Sequence, residues 1–110
     1  MSWSDLLGCA FQALADRAWA PNRARAAELA GLLADWQQAG DLSAEHHERA
    51  RVVAHSLRGS AGTFGHAAAS DAAAELQELL SATGTPQIDV VSGLVERIET
   101  ALEQAPLLDL

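Results

Sequence analysis

The chain is poor in the residues that would favour strands, disulfides or membrane insertion. Among its 110 residues there are one Cys, three Pro and no Tyr. A single Cys9 cannot form an internal disulfide, and scarce Pro together with abundant Ala and Leu favours helices over strands. No apolar run approaches the roughly 18 residues that span a bilayer, and the first residues lack the basic start of a signal peptide. We therefore expect a soluble, cytoplasmic, all-α protein with no membrane partner.

Positive charge is also scarce. The chain carries seven Arg and no Lys against 15 Asp and Glu, a formal net charge of -8. An acidic surface of this kind repels phosphate backbones, so nucleic acid is not an expected partner. A chain of 110 residues is large enough for one core and too small for two. We expect residues 1–110 to form a single domain and the protein to be a monomer.

Apolar residues recur at helical spacing in five stretches. The first ends before Pro21, and the second runs from there to about Gln38, before Gly40 as a helix end. We expect Cys9 and the three Trp residues of these two stretches to pack in the core, the alternative being one exposed Trp that docks a partner. The apolar positions of the first two stretches are Leu6, Leu7, Ala10, Phe11, Leu14 and Ala18, then Ala26, Leu29, Leu33 and Trp36.

The remaining three stretches predict a helical hairpin and a closing helix. Ser43 is a suitable N-cap for a helix to about Phe64, a fourth helix covers residues 67–80, and Thr85 with Pro86 suits the start of the last. Short connections favour antiparallel neighbours. We thus predict an antiparallel four-helix bundle with an additional N-terminal helix, residues 1–42 supplying the N-terminal helices and residues 43–110 the hairpin and closing helix.

The third predicted helix divides into two faces around His55. On an ideal helix the small and apolar positions lie opposite the histidine, which predicts a core face there and a solvent-exposed imidazole. The core-face residues are Ala50, Val53, Leu57, Ser60, Ala61 and Phe64. The residues within roughly 60° of His55 are Glu48, Arg51, Val52, Arg58, Gly59 and Gly62.

Two glycines and two arginines accompany His55 on this exposed face. Gly59 and Gly62 each cost the helix about 0.5–1 kcal/mol relative to Ala, and no bundle packing is expected to explain them, which indicates close approach of a partner. Arg51 and Arg58 predict a local positive charge suited to phosphoryl oxygens. An imidazole nitrogen is a capable nucleophile near neutral pH. Without these neighbours, a lone exposed histidine is usually only a solvated residue.

The stretch 54–65, AHSLRGSAGTFG, resembles the signature of histidine-phosphotransfer (Hpt) domains. That signature is His-x-Leu-Lys-Gly-Ser/Ala followed by a Gly ten residues after the His. The matching residues are His55, Leu57, Gly59, Ser60 and Gly65. A weaker similarity continues through the Ala- and Leu-rich stretch 72–80, whereas residues 1–42 carry no family motif. Arg58 stands where Lys is commoner, which keeps the charge and alters its reach.

The resemblance implies a four-helix bundle in which His55 is phosphorylated within a two-component phosphorelay. The expected partners are response-regulator receiver domains and a hybrid histidine kinase. The expected roles are phosphoryl stabilisation by Arg58, steric access at Gly59, and partner binding by Arg51, Val52 and Gly62. The receiver is expected to bring the aspartate and Mg²⁺, so no cofactor of this chain's own is implied. Because no Gly-rich nucleotide loop is present, we expect a phosphocarrier without autokinase activity.

Other interpretations of the same residues remain open. His46 and His47 lie near acidic residues, but they lack the spacing of helical zinc or di-iron sites, so we expect no metal; His46 is expected to turn partly towards the core. We expect His66, after Gly65, to be a polar turn residue, the alternative being a residue that assists the partner contact. A non-catalytic helical adaptor or dimerisation module that binds a signalling partner is the alternative function.

Overall fold

The computed structural model describes residues 2–108, which form four α-helices. Helix α1 spans Trp3–Ala39, α2 spans Ala44–Thr63, α3 spans Ala67–Ser81 and α4 spans Ile88–Ala101. Consecutive helices pack against each other, and α1 also packs against α4, so that the four close into a ring. Over the described residues, the all-α antiparallel bundle expected from the sequence is confirmed.

The predicted break at Pro21 is wrong, because α1 is one helix of 37 residues that contains this proline. The separate N-terminal helix expected from the sequence is therefore the first half of α1. A proline inside a helix removes one backbone hydrogen bond and costs about 3 kcal/mol. Side chains on both sides of it hold α1 against the bundle: Trp19 Nε1 donates to the Leu102 carbonyl at 2.7 Å, and Asn22 is fully buried. Gly40 ends the helix with φ 82°, as predicted.

The first turns of α1 extend beyond the bundle. We call residues 3–14 the arm, since α2 and α4, with 20 and 14 residues, are too short to accompany α1 over its whole length. The molecule accordingly measures 57 Å along its long axis and about 20 Å across. Cys9 and Trp3, expected in the core, are exposed because no helix faces the arm. Trp36, near the other end of α1, is buried as expected.

The core lies between the four helices and is built mainly from Ala, Leu, Val and Ile. The core face predicted for α2 is confirmed at four positions, and Ser60 and Phe64 are half-buried at its edge. Small residues on α2 and α3 let these two helices approach closely. The buried residues of α2 and α3 are Ala50, Val53, Ala54, Leu57, Ala61, Ala69, Ala72, Ala73, Leu76 and Leu80.

The connection between α2 and α3 is covered by the end of the chain. Gly65 adopts φ 94°, and its carbonyl accepts a hydrogen bond from the Leu107 amide at 2.9 Å. His66 lies in this turn, as predicted, but its ring is buried, and Nε2 donates to the Gln104 carbonyl at 2.8 Å. The segment after α4 folds back over the turn and encloses the imidazole, a contact that local sequence does not reveal.

The remaining helix ends follow the sequence more closely. Ser43 caps α2 as predicted, its Oγ accepting from the His46 amide at 3.1 Å. Helix α4 starts later than predicted, with Gln87 rather than Thr85 as its N-cap residue. Ile88 then packs against the core, where its burial offsets the lack of a side-chain cap. None of the four helices combines the length and apolarity required to cross a lipid bilayer within residues 2–108.

Candidate functional site

The imidazole of His55 faces solvent from the middle of α2. Ala54, directly before it, and Leu57, two residues after it, are fully buried, and their burial fixes the rotation of α2 about its axis. Because residues on a helix recur every 3.6 positions, the same rotation turns His55 outward. The predicted exposure of the ring is confirmed.

One polar side chain of α3 contacts the ring. Gln77 Nε2 donates to His55 Nδ1 at 3.0 Å, while Gln77 Oε1 accepts from Arg58 Nη1 at 3.4 Å. The half-buried amide of Gln77 therefore connects the imidazole and the guanidinium. Since this contact engages Nδ1, Nε2 is the ring nitrogen left for a reaction partner.

Sequence reasoning gave Gln77 no role, although the hairpin contains a signal for it. Positions equally distant from His66 in an antiparallel hairpin lie at the same height. Gln77 and His55 are both eleven residues from His66, and Ser70 and Gly62 are both four residues from it. Both pairs are in contact across α2 and α3. A symmetric register about the turn could thus have identified Gln77 as the partner of the histidine.

The guanidinium of Arg58 lies one turn after His55 and is exposed. Its contact with Gln77 is long and leaves most of its five donor hydrogens available. In the described part of the chain, no carboxylate forms an ion pair with Arg58. Arg58 is therefore a cation next to the imidazole that is not neutralised by a neighbouring side chain.

Arg51 does not add a second available cation, contrary to the expectation of a positive spot made by two arginines. Its Nη2 lies 2.6 Å from Glu48 Oε1, and its Nε also donates to the same carboxylate at 2.9 Å. This bidentate pair lowers the pKa of Glu48 and raises the pKa of Arg51, in each case mainly through the hydrogen bond. Both groups are charged at neutral pH, and their charges compensate each other.

The two glycines near His55 have different surroundings. A Cβ built on Gly59 meets nothing within 4 Å, so the backbone there is open. A Cβ on Gly62 would lie 2.7 Å from Ser70 Oγ, which itself donates to the Arg58 carbonyl. The inference that packing does not explain Gly62 is wrong, because α3 approaches the helix there. Only Gly59 marks open space beside the imidazole.

Apolar surface borders this open space. Val52, one turn before His55, is 38% exposed, on the flank of α2 that also carries Gly59. On the other flank, α3 supplies Gln77 and Ser70. The ring is therefore bordered by polar groups on one side and by an open, apolar surface on the other.

The histidines at the start of α2 lie away from this surface. His47 Nε2 donates to the Leu80 carbonyl at 2.6 Å and so ties the start of α2 to the end of α3. His46 is half-buried, which agrees with the expected turn towards the core. Within residues 2–108, no group of three or more His, Cys, Asp or Glu side chains is placed to hold a metal ion.

Comparison with known proteins identifies a family for most of the chain. Residues 22–106 match the family model described as Hpt domain. The match contains all four helices except the first half of α1, and it includes every residue near His55. No curated protein and no solved structure gives a significant match.

Proposed function

The chain belongs to the Hpt domain family, and from this premise we propose that His55 accepts a phosphoryl group from a receiver-domain aspartate and donates it to another. Hpt domains serve phosphotransfer in phosphorelays, in which they interact with receiver domains and kinases. The observation that carries the proposal is the exposed imidazole of His55, with Gln77 at Nδ1 and no hydrogen bond at Nε2 from any described residue. The family signature and this geometry select the same residue.

The proposed step exchanges one bond to phosphorus for another. The lone pair of Nε2 attacks the phosphorus, and the bond from phosphorus to the aspartyl oxygen breaks, its electron pair leaving with the carboxylate. Nδ1 carries the proton of the neutral nucleophile and releases it to solvent after transfer. The reverse sequence passes the phosphoryl group to the next aspartate.

Gln77 is suited to both protonation states of the ring. A primary amide has an acceptor end and a donor end, which exchange when the amide group rotates. With the oxygen towards the ring, Gln77 accepts from Nδ1–H and leaves the lone pair on Nε2. With the nitrogen towards the ring, it donates to an unprotonated Nδ1, the contact present in the structure.

The other residues of this surface have supporting roles in the proposal. Arg58 stabilises the phosphoryl oxygens, since catalysis of such transfers is mainly positioning and electrostatic stabilisation. Gly59 leaves room for the donor, while Val52, Arg51 and Gly62 border the area that a receiver covers. The receiver supplies the aspartate and Mg²⁺, and this chain acts as a phosphocarrier without autokinase activity.

Phosphoryl transfer from a phosphorylated receiver domain tests the function. We expect the protein, incubated with a panel of receivers phosphorylated by a small acyl phosphate, to acquire an acid-labile, base-stable phosphate from at least one of them. Mass spectrometry should locate the phosphate on the peptide containing His55. Receiver binding without any transfer would contradict the proposal and would support the adaptor function instead.

A second prediction concerns Gln77. Gln77→Leu keeps the approximate size of the side chain and removes both hydrogen bonds, so we expect transfer to slow by up to about tenfold, the equivalent of one lost hydrogen bond. Nitrogen-15 NMR of the ring should also show a changed tautomer ratio at His55, which a merely structural role would not produce. Gln38→Leu, an exposed substitution at the end of α1, is the matched control. Unchanged tautomer ratio and rate in Gln77→Leu would remove Gln77 from the site.

A further inference from the structure

The arm carries a continuous apolar stripe whose large side chains are 42–81% exposed. On an ideal helix its members lie within about 80° of one line along α1. Trp3 is 81% exposed and Leu7 is 54% exposed. The stripe consists of Trp3, Leu6, Leu7, Ala10, Phe11 and Leu14.

The arm is outside the part of the chain that the family explains. The Hpt match begins at residue 22, whereas the arm ends at residue 14. The site around His55 does not include the arm, so phosphotransfer alone does not account for its apolar residues. A large exposed apolar patch indicates a contact with another molecule.

We propose that the arm is a self-association surface, in which the arms of two copies of this chain pair antiparallel about a two-fold axis. A two-fold contact uses the same patch on both partners, so the patch must be complementary to itself. Antiparallel pairing about the middle of the stripe places Trp3 opposite Leu14 and Leu6 opposite Phe11. The same register places Leu7 opposite Ala10, so that each member of the stripe faces an apolar residue of the other arm.

The area of the stripe is sufficient for such a contact. An aromatic side chain carries roughly 150–250 Å², so Trp3 and Phe11 leave on the order of 300 Å² uncovered, and the leucines bring the stripe to on the order of 500 Å². Two arms together would bury on the order of 1,000 Å², which reaches the lower limit of specific interfaces.

The low charge of the arm permits contact with a second copy and offers no charges for an oppositely charged partner. The arm contains one charged residue, Asp5, while the chain as a whole has a net charge of -8. Asp5 lies on the side of the helix away from the stripe, where it forms a capping box with Ser2. Two strongly acidic molecules can thus associate through their arms, because the arms contribute little electrostatic repulsion.

The shape of the molecule permits the pairing. Twelve residues of helix are about 18 Å long, so two arms overlap fully and leave the two bundles at opposite ends. A groove of about 650 Å³ begins beside Phe11 and continues to Gly65 and Leu107. Trp3 of the second copy, opposite Leu14, would lie at the mouth of this groove. The proposal departs from the monomer expected from the sequence, which treated the first helix as part of the core.

Analytical ultracentrifugation over a range of concentrations tests the proposal. We expect a monomer–dimer equilibrium, and we expect Leu7→Asp to raise its dissociation constant at least about tenfold, because two carboxylates would be buried at the contact. Gln12→Asp adds the same charge on the opposite face and should leave the equilibrium unchanged. A protein that stays monomeric to high micromolar concentration would overturn the proposal, as would a dimer that Leu7→Asp does not weaken. Binding of the arm to a receiver or to lipid vesicles by a strictly monomeric protein would also overturn it.

Disulfide trapping tests the direction of pairing. In a Cys9→Ser background, chains with Trp3→Cys and chains with Leu14→Cys are mixed, one of them carrying a tag. Antiparallel arms bring the two different positions together and hold equal positions about 16 Å apart, beyond the roughly 7 Å limit for a disulfide. The mixed disulfide is expected, and disulfides between identical chains alone would overturn the antiparallel arrangement.

Discussion

Substitution of His55 by Gln is expected to reduce phosphoryl transfer from a phosphorylated receiver by roughly a thousandfold or more, because it removes the nucleophile itself. Gln has a similar reach and retains polarity, but its amide has no nucleophilic lone pair comparable to that of imidazole. His55 is exposed, and its one hydrogen bond is to the neighbouring Gln77. A substitution at such a position changes the free energy of unfolding by about 0.5 kcal/mol or less.

The measurement is the acid-labile phosphate retained by the protein at a fixed time after mixing with the phosphorylated receiver. Circular dichroism and urea denaturation of His55→Gln should match those of the unmodified chain. His46→Gln provides a control on the same helix, since His46 faces away from the site. Undiminished labelling of His55→Gln would refute the assignment of His55, whatever the result for His46→Gln.

The position of the site could be predicted because it depends on the pattern of one helix. The small and apolar residues of α2 determine which face is buried, and this places His55, Arg58 and Gly59 outward with no knowledge of the other helices. Family resemblance and periodicity agree there because both depend on the spacing within a single segment. The outward placement of these three residues therefore follows from the pattern of α2 alone, whereas the contact of Gln77 with the ring does not.

The errors arise where one segment contacts another that is remote in sequence. His66 is buried by the segment that follows α4, and the hydrogen bond from Trp19 to the Leu102 carbonyl helps α1 to continue through Pro21. Cys9 is exposed because the helices that could cover it are too short. Periodicity shows that a face is apolar and does not show what, if anything, covers it.

The two arginines near His55 also show what a sequence pattern misses, here in contacts between residues of one helix. Arg51 and Arg58 are equivalent in the sequence pattern, each about one turn from His55. The rotamer of Glu48 makes them different, because it neutralises Arg51 and leaves Arg58 available. The electrostatic role of a basic residue can therefore be predicted only when acidic residues three or four positions away on the same helix are also considered.

Gly59→Leu is the second substitution for which we expect a large effect on phosphoryl transfer, because the backbone at Gly59 is open. Gly59→Leu should increase helix stability by about 0.5–1 kcal/mol, since Leu is a much better helix former than Gly. A Cβ at this position meets nothing within 4 Å, so the added side chain leaves the backbone into open space. The same side chain would occupy the space beside Nε2 of His55 that the phosphorylated aspartate must enter. We therefore expect transfer to fall about tenfold or more while the protein becomes more stable.

Gly31→Leu is the matched control for this substitution. Gly31 lies inside α1, is exposed, and also has nothing within 4 Å of an added Cβ. It should give the same gain in stability, measured by urea denaturation, and leave transfer unchanged. Gly62 is unsuitable for this comparison because Ser70 occupies its space. If Gly59→Leu and Gly31→Leu transfer equally fast, then the glycine next to His55 does not provide access, and the receiver approaches the ring from the side of Gln77.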